Sequence, residues 1–314
     1  MLVIGTALHH DGRGRHRFDG NGADWAMRDV CMKSTFAVRT MRAGELELAL
    51  EWARQEGWNP GVDDAPAFWE ADPSGFFVGA IGEVPVGCIS LVRYGESFAF
   101  LGLYMVHPEF RGKGYGKALW NKVMAFAGNR TVGLDGVVAQ QENYRRHGFE
   151  AAYRTLRYGG VAKVPDIDKA VEVVPVTQGR LEALLRYDAG IFPGLRYSFL
   201  TAWCGAPERR KSFMVGSGSR IRGYGTIRRC FEGLKIGPLF ANSPDVAVAL
   251  LAALLSEANG EPVYLDVPAE NAEAISLVEA CGLSPVFETA RMYRGVAPDM
   301  PLNRVFAVTT LELG

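Results

Sequence analysis

A stretch of sequence near the middle of the chain recurs in its last part. Residues 148–157 and residues 282–291, which are 134 positions apart, share a glycine followed by an apolar residue, then an aromatic residue, a threonine and an arginine at the same spacing. Leu134-Asp135 is likewise matched by Leu265-Asp266, 131 positions later. A repeat of this length exceeds the roughly 20–50 residues of solenoid repeats, so it favours a duplicated domain. The alternative is a pair of unrelated α/β domains that share a glycine at the end of a helix.

The length and composition of the chain agree with two globular domains. Its 314 residues are about twice a common domain size, 48% of them are hydrophobic and 22% are charged. The formal net charge is −1, so the protein has no overall positive field that would attract nucleic acid. The longest strongly apolar run, Val246–Leu255, has about half of the ~20 residues that a membrane-spanning helix needs. We therefore expect neither a nucleic-acid partner nor a membrane partner.

The cysteines are single and widely spaced. They are Cys31, Cys88, Cys204, Cys230 and Cys281, and no C-x-x-C pair occurs. A zinc site needs clustered ligands, and the five histidines are not placed to complete one, so no metal is expected. An odd, dispersed set of cysteines is typical of buried thiols in a reducing compartment. The pattern therefore predicts a cytoplasmic protein.

Residues 1–34 differ in composition from the rest of the chain. They contain five glycines, three histidines and both signs of charge, without an apolar period. The segment begins apolar and then becomes basic, which is the reverse of a secretory signal. We interpret it as a poorly ordered N-terminal extension that can be removed up to Met32 without loss of folding.

The remaining chain divides at a linker that contains Pro165 and Pro175. We assign one domain to residues 35–160 and a second to residues 161–314, which includes the linker over residues 161–175. Periodicity and turn residues in the first domain predict the order β-α-α-β-β-β-α-β-α-β. Its strands are expected near residues 36–41, 76–81, 84–93, 98–106, 131–138 and 149–158. Its helices are expected near residues 45–56, 63–70, 115–127 and 140–147.

A glycine-rich loop follows the fourth predicted strand of the first domain and opens a helix. Residues 111–116 read Arg-Gly-Lys-Gly-Tyr-Gly. Glycines remove the Cβ atoms that would keep a ligand away from the backbone. The first turn of a helix carries unpaired N–H groups, and the helix dipole adds positive potential there, which Arg111, Lys113 and Lys117 strengthen. The loop therefore predicts a binding site for a diphosphate.

The spacing of the glycines distinguishes between the known types of phosphate-binding glycine loop. A Walker A loop would need Ser or Thr at the position of Ala118, and the dinucleotide pattern G-x-G-x-x-G would need glycine at the position of Lys117. The pattern that fits is [Q/R]-x-x-G-x-[G/A], with Arg111, Gly114 and Gly116. This loop, together with the order of elements around it, resembles the acetyl-CoA pyrophosphate loop and the fold of the GNAT N-acetyltransferase superfamily.

The resemblance implies a fold, a co-substrate and a set of contacts. The fold is α/β (α+β), with two GNAT-like domains, each a mostly antiparallel mixed sheet flanked by helices. The co-substrate is acetyl-CoA, and no metal is involved. The residues implied to hold it are Tyr104, Met105, Val106, Arg111, Gly112, Lys113, Gly114, Tyr115 and Gly116. A backbone N–H near Met105 or Val106, where the strand leaves its neighbour, is implied to stabilise the oxyanion.

The second domain carries a degenerate copy of the loop. Residues 220–225, Arg-Ile-Arg-Gly-Tyr-Gly, fit the same pattern, but the residues after them alternate like a strand and do not start a helix. The counterpart by position is residues 235–245, where Ser243 and Pro244 favour a helix start but the paired glycines and the arginine are missing. We therefore expect acetyl-CoA to bind the first domain only.

Tyr144 is the candidate general acid. It lies four residues before Gly148 in the sequence Tyr-x-x-x-Gly-Phe, and by resemblance its hydroxyl faces the CoA sulfur and protonates the leaving thiolate. The alternative is an aromatic ring that only packs between helix and sheet. In the second domain Val278 stands at the same place, so no acid is available there.

The general base is left open by the sequence. The candidates are Asp63, Asp64 and Glu70 on the second helix, His107, or a chain of waters. A histidine that precedes a proline at a turn favours a solvated position over a catalytic one. The turn at residues 58–61 belongs to the helix pair that borders the acceptor site in the family that the chain resembles. Residues 187–196 and 237–240 either close over the acceptor or serve only packing.

These features predict an acetyl-CoA-dependent N-acyltransferase whose acceptor is an amine of a small molecule, because two packed domains leave a closed cleft. A second class is a non-catalytic acyl-CoA sensor or interaction protein, since folds of this kind are reused without chemistry. A third class is an aminoacyl transferase, which the intact CoA loop disfavours. Turnover of acetyl-CoA with any amine separates the first class from the second.

Overall fold

The computed structural model describes residues 35–166, 171–205, 210–218 and 220–314. The extension expected over residues 1–34 lies outside these residues, and so does part of the expected linker. The strands of the first half are β1 (Phe36–Thr40), β2 (Phe76–Ile81), β3 (Val84–Tyr94), β4 (Phe98–Val106), β5 (Thr131–Val137) and β6 (Glu150–Gly160). Its helices are α1 (Glu45–Gln55), α2 (Asp64–Ala71), α3 (Tyr115–Ala127) and α4 (Gln141–Arg146). The order of these elements is the predicted one.

The second half repeats this order and adds a strand. Its strands are β7 (Val173–Pro175), β8 (Arg210–Ser217), β9 (Arg220–Arg229), β10 (Leu234–Ala241), β11 (Val263–Pro268), β12 (Ser284–Arg294) and the additional β13 (Val305–Ala307). Its helices are α5 (Leu181–Asp188), α6 (Tyr197–Cys204), α7 (Pro244–Ser256) and α8 (Ala272–Ala280). The glycine pattern at residues 220–225 lies inside β9, so it is part of a strand, as predicted. No helix in the described ranges has the length and apolar character needed to cross a bilayer.

The helices form where apolar residues recur with the helical period. In α1, Leu46, Ala49, Leu50 and Ala53 are buried and lie on one face, while the opposite face carries charged residues. In α3, the helix begins directly after Gly114, whose φ of 89° is a left-handed conformation that glycine adopts without strain. The glycine loop is therefore the physical start of α3, as the sequence predicted.

The thirteen strands of the described residues belong to one sheet, in which the two halves exchange their last long strands. The order along the sheet is β1-β2-β3-β4-β5-β12-β6-β11-β10-β9-β8-β7, with β13 paired to β10. Strand β12 of the second half pairs with β5 of the first half, and β6 of the first half pairs with β11 of the second half. The two exchanged strands contain the similar segments 148–157 and 282–291, so each half is completed by the counterpart of its own last long strand.

The sheet is mostly antiparallel, as expected, and its two parallel pairs diverge part-way along. Strands β4 and β5 are paired only up to Leu101 and Leu134, and β10 and β11 only up to Ile236 and Leu265. In the second half, β13 pairs with β10 beyond this point and fills the gap. In the first half the gap stays open. The two equivalent positions of the repeat therefore differ in whether a ligand can enter.

The core runs across the boundary between the halves. One cluster of buried residues contains members of α1, α2, β2 and β4 together with members of α5, α6 and β9. Within it, the rings of Phe68 on α2 and Trp203 on α6 stack with centroids 6.3 Å apart, and Phe98 on β4 contacts Phe192 after α5. The two halves therefore pack as one body around the open gap.

Candidate active site

A cavity of about 230 Å³ lies where β4 and β5 part. It is lined by Gly57, Trp58, Asn59, Leu101, Gly102, Leu103, Tyr104, Leu134, Asp135, Val137, Tyr144, Arg157, Glu232, Tyr264, Val286, Phe287, Thr289, Leu311 and Glu312. These residues come from both halves, and aromatic and aliphatic side chains predominate. The volume is somewhat below the roughly 300–1,000 Å³ that is typical of small-molecule sites.

Strand β4 bulges beside this cavity. Leu103 has a φ of 46°, and the pairing with β3 shifts register between Cys88 and Ser90, opposite this residue. The thiol of Cys88 donates a hydrogen bond to the Leu103 carbonyl at 3.2 Å, and the bulge lies within the stretch where β4 no longer pairs with β5. Backbone groups of this stretch are therefore turned away from the regular ladder, as at the ligand sites where bulges are common.

The glycine loop provides a row of unused backbone donors. Gly112 and Gly114 have φ values of 77° and 89°, and a Cβ atom at either position would face open space. Among the described residues, no acceptor receives an N–H from residues 112–117, and α3 has no side-chain cap. Unpaired N–H groups at a helix N-terminus attract anions, and the helix dipole adds to that attraction. The loop therefore has the donors that a diphosphate requires.

Arg111 points from this loop toward the end of β4. Its Nε donates to the carbonyl oxygen of Val106 at 2.9 Å, and its Nη2 contacts the carboxylate of Glu56 on α1. Glu56, Val106 and His107 line a smaller cavity of about 100 Å³ at this end of the strand. Arg111 therefore joins the loop to α1 and β4 in this structure, while the backbone of the loop stays unpaired.

Tyr144 lies on α4 with its ring between helix and sheet and its edge at the cavity. It is 4% exposed, and its ring lies 6.0 Å from Trp120 and 6.2 Å from Phe149. Its hydroxyl makes no hydrogen bond within the described chain. Burial raises the pKa of Tyr144, and the neighbouring Tyr104 raises it further. The residue therefore both packs and lines the cavity, and its hydroxyl stays protonated at neutral pH.

None of the four side chains considered as general base lines the main cavity. Asp64 is fully buried, where its carboxylate accepts a hydrogen bond from Gly61 N at 2.9 Å and contacts two arginines, Arg210 and Arg228. Asp63 directly precedes this helix, and Glu70, which lies on it, is exposed. His107 lines the small cavity, and its Nδ1 is buried without a partner in the described residues. The carboxylates at the main cavity are Asp135, Glu232 and Glu312.

The turn at residues 58–61 lies at the cavity, as expected for the acceptor side. Its Trp58 carbonyl accepts hydrogen bonds from Arg157 Nη1 at 3.2 Å and from Lys235 Nζ at 2.9 Å. The side chain of Asn59 exchanges two hydrogen bonds with the backbone of Glu232, at 2.8 and 2.9 Å. This turn is therefore held by β6, β10 and the β9–β10 hairpin, and most of that support comes from the second half.

Two segments of the second half that were considered for the acceptor site serve packing. Arg196 and Asp188 form a buried ion pair at 2.7 Å, and Phe192 packs on Tyr94 of the first half. Residues 237–240 run along β10 and contact β13. The second-half residues at the cavity are instead Glu232, Tyr264, Val286, Phe287, Thr289, Leu311 and Glu312. They lie on exchanged or distant segments, and no motif in the sequence marks them.

Comparison with known proteins agrees with this arrangement. The Acetyltransferase (GNAT) family matches residues 45–149, and the Acetyltransferase (GNAT) domain matches residues 184–307. A holothin acyltransferase from Pseudoalteromonas sp. (strain SANK 73390) is 33% identical over 281 residues, which cover 89% of this chain and 95% of that protein.

Solved structures share the fold at lower identity. A candidate acetyltransferase from Pyrococcus horikoshii superposes with a TM-score of 0.74 at 21% identity and covers 98% of this chain and 100% of its own. A tandem GNAT protein from the clavulanic acid biosynthesis pathway gives a TM-score of 0.58 at 14% identity, with 84% of this chain and 100% of its own covered. The chain therefore belongs to the GNAT acetyltransferase family, carries two domains of that family in tandem, and is an acyltransferase.

Proposed function

We propose that this protein transfers an acetyl group from acetyl-CoA to an amine of a small molecule. One observation carries the proposal: the gap between β4 and β5 is open and connects to an apolar cavity, and the helix that follows β4 starts at a loop of unused N–H donors. A thioester that lies along the gap would have its diphosphate at the loop and its acyl carbon at the cavity.

The proposed contacts with CoA follow the chain from the gap to the loop. Tyr104, Met105 and Val106 would bind the pantetheine arm, and Arg111 through Gly116 would bind the diphosphate, mainly by backbone N–H groups. A backbone N–H of the bulged stretch near Met105 or Val106 would stabilise the oxygen of the thioester carbonyl as it becomes negative. Bound acetyl-CoA supplies the activated acyl group, and the protein supplies position and charge stabilisation.

Tyr144 is the proposed acid for the departing thiolate. Its raised pKa keeps the hydroxyl protonated over the pH range in which an amine transferase works. Its hydroxyl has no partner among the described residues, so it is available to a sulfur atom at the cavity. When the C–S bond breaks, the proton of this hydroxyl passes to the sulfur.

Only the first half is proposed to bind acetyl-CoA. In the second half, β13 pairs with β10 in the gap, and the N–H of Val308 donates to the carbonyl of Asp266 on β11 at 2.9 Å. The helix after β10 starts at Pro244 and lacks the paired glycines. A bound thioester would have to displace a paired strand there.

The acceptor is proposed to be a small amine, and the compartment the cytoplasm. The cavity is small and enclosed by both halves, which suits a small molecule better than a peptide tail. The Pseudoalteromonas relative is named for acyl transfer to holothin, so holothin and amines of similar size are the first acceptors to test. Cys88, Cys204, Cys230 and Cys281 are buried free thiols, which supports a reducing compartment. We also propose a domain boundary between residues 160 and 161, at the end of β6.

The test is a thermal-shift panel of CoA esters, followed by an amine panel with detection of the free CoA thiol. We expect acetyl-CoA to raise the melting temperature and at least one small amine to release CoA. Binding without thiol release for any amine would support a non-catalytic acyl-CoA sensor instead. No shift with any CoA ester would contradict both functions.

A further inference from the structure

Residues 308–314 cross from the second half into the first half and cover β4. Val308 N donates to β11, and the Leu313 carbonyl accepts a hydrogen bond of 2.9 Å from the Tyr94 hydroxyl on β3. Gly102 on β4 lies directly under Glu312, since a Cβ atom at position 102 would overlap the Glu312 backbone. This close approach brings Glu312 to the wall of the open cavity in the first half.

The carboxylate of Glu312 is buried but has no partner. The residue is 5% exposed and lines the cavity, and its oxygens accept no hydrogen bond from the described residues. The hydroxyls of Ser90 and Thr155 are completely enclosed and have no partner, whereas the Glu312 oxygens are not completely enclosed. Because Glu312 lines the main cavity, we infer that its oxygens reach that space.

The charged groups around Glu312 are already paired with other groups. Arg157, Arg228 and Lys235 interact with it electrostatically, and Asp266 belongs to the same cluster. Arg157 is bonded to Asp266 at 2.7 and 2.9 Å, Arg228 to Asp64 at 3.1 Å, and Lys235 to the Trp58 carbonyl at 2.9 Å. The three cations therefore lie near Glu312, but each of them is bonded to another acceptor.

A largely buried carboxylate without a hydrogen-bonded partner is costly unless something binds it. Burying a charge without a hydrogen-bonded partner destabilises a protein strongly, and such groups cluster at functional sites. Here the empty side of the carboxylate faces a cavity whose other walls are mainly apolar. A ligand that completes this site has a cationic or donor group at one end and an apolar body.

We propose that Glu312 binds the ammonium group of the acceptor and takes its proton. This inference rests on the proposed function and names the base that the sequence left open. The aromatic residues Trp58, Tyr264 and Phe287 at the cavity favour an acceptor whose amine is attached to an aromatic body, such as an aryl-alkyl amine. The second half thus supplies a catalytic residue to the first.

The proton balance of the step is complete. The ammonium of the acceptor gives one proton to Glu312, which releases it to solvent. The neutral nitrogen attacks the thioester carbon, the C–N bond forms, and the C–S bond breaks. The Tyr144 hydroxyl gives its proton to the sulfur, and the second proton of the nitrogen passes to the Tyr144 oxygen, directly or through water, which restores the hydroxyl. The products are the amide, the CoA thiol and one proton.

The first experiment measures binding without turnover. The probe is 2-phenylethylamine, titrated by calorimetry at pH 7 into full-length protein saturated with CoA. We expect the parent to bind it and Glu312→Gln to bind at least about tenfold more weakly. Glu257→Gln, which removes a carboxylate at the exposed end of α7, should bind like the parent. Absence of binding to the parent, or equal binding to Glu312→Gln, would overturn the proposal.

The second experiment tests whether Glu312 removes a proton from the acceptor or only supplies a negative charge. 2-Phenylethylamine is an ammonium ion at pH 7, whereas O-benzylhydroxylamine has nearly the same shape but is a neutral base and needs no deprotonation. Glu312→Gln should lower kcat about 10²–10⁴-fold with the first amine and less than about threefold with the second. Glu312→Asp keeps the charge beside Arg157 but withdraws the oxygens, so it should also be slow with 2-phenylethylamine alone.

The outcomes distinguish this inference from the function on which it rests. Equal losses with both amines, or a Glu312→Asp variant as fast as the parent, would show that Glu312 only balances charge. If the parent released no thiol with any amine, the proposed transfer of acetyl from acetyl-CoA to an amine would fail, while the calorimetric comparison would still decide whether Glu312 binds an ammonium group. Circular dichroism confirms that each variant is folded.

Discussion

The guanidinium of Arg291 in the second half binds the carboxylate of Asp135 in the first half through two hydrogen bonds of 2.9 and 2.8 Å. The side chains are 1% and 0% exposed. Arg157 of the first half binds Asp266 of the second half in the same way. Each arginine is the counterpart of the other in the sequence repeat, and so is each aspartate. Because β6 and β12 are exchanged, each of these arginines binds the aspartate of the opposite half.

Removing one member of the Arg291–Asp135 pair should destabilise the whole protein. Asp135→Asn leaves a buried guanidinium without its counter-charge, which typically costs about 3–5 kcal/mol. Urea unfolding followed by tryptophan fluorescence measures the loss. Replacement of both members by apolar residues of similar volume should cost less than the single change, because no charge is then left unpaired.

The neighbouring exposed pair provides the control. Arg154 on β6 and Glu288 on β12 lie 3.5 Å apart, with 60% and 36% of their side chains exposed. Glu288→Gln should change the free energy of unfolding by less than about 1 kcal/mol, because water already screens both charges. A loss from Asp135→Asn as small as that from Glu288→Gln would show that the crossed pair contributes little.

Gly114→Glu should abolish binding of acetyl-CoA without unfolding the protein. The φ of 89° disfavours any residue with a Cβ atom, at a cost of roughly 1–2 kcal/mol, and the new side chain would add negative charge in front of the unpaired N–H groups. Calorimetry on the parent should give one tight site per chain. Gly260→Glu, at an exposed turn with a φ of 80°, has the same backbone strain and should keep the site. Two sites in the parent, or unchanged affinity in Gly114→Glu, would contradict the prediction.

Tyr144→Phe should lower kcat about 10²–10⁴-fold at pH 7 and leave acetyl-CoA affinity unchanged, because only the proton donor is lost. The defect should shrink as the pH rises from about 7 to 9, since a thiol has a reference pKa near 8.5 and its anion can leave unaided. The raised pKa keeps Tyr144 itself protonated over this range. Tyr153→Phe removes a buried, unpartnered hydroxyl outside the cavity and should be silent. A kcat within roughly threefold of the parent would make Tyr144 a packing residue only.

Glu45 should contribute stability that disappears in acid. Two hydrogen bonds of 2.7 Å from Arg39 lower the pKa of Glu45 from 4.5 to about 2, helped by the backbone N–H of Arg42 and opposed by partial burial. A lowered pKa in the folded state means that the ionised form stabilises the fold above pH 4.5, and this contribution falls as the pH drops toward 2. The difference in unfolding free energy between the parent and Glu45→Gln should therefore be constant at pH 5–7 and shrink at pH 3. A difference that persists at pH 3 would contradict this.

The local elements could be predicted from the sequence because their causes are local. The glycine at position 114 starts α3, and the apolar period of α1 determines its buried face, so both were recognisable from neighbouring residues. The strand exchange could not be predicted in this way, because residues 148–157 and 282–291 are similar enough to fit either half. The repeated segments include both arginines and both aspartates of the buried ion pairs. The sequence alone, however, does not show which arginine binds which aspartate.

The residues that line the cavity were also harder to predict, because several of them are brought together only by the topology of the sheet. Tyr144 follows a recognisable local pattern, and its position at the cavity agrees with the expectation, although its role remains a prediction. Glu312 follows no pattern, and it reaches Gly102 only because residues 308–314 cross the sheet. Contacts between residues about 200 positions apart are decided by topology, which pairwise sequence patterns do not encode.

The exchanged strands also bear on how such a chain can evolve. Two identical half-length polypeptides that traded their last strands in this way would form a two-fold symmetric dimer, and every substitution would then occur twice. Once the copies are joined in one gene, each can change alone. In this chain the first copy retains the glycine loop. In the second copy β13 occupies the equivalent gap, and residues 308–314 extend over the first copy. Deleting the second copy would therefore remove part of the first copy's sheet, so this duplication is difficult to reverse.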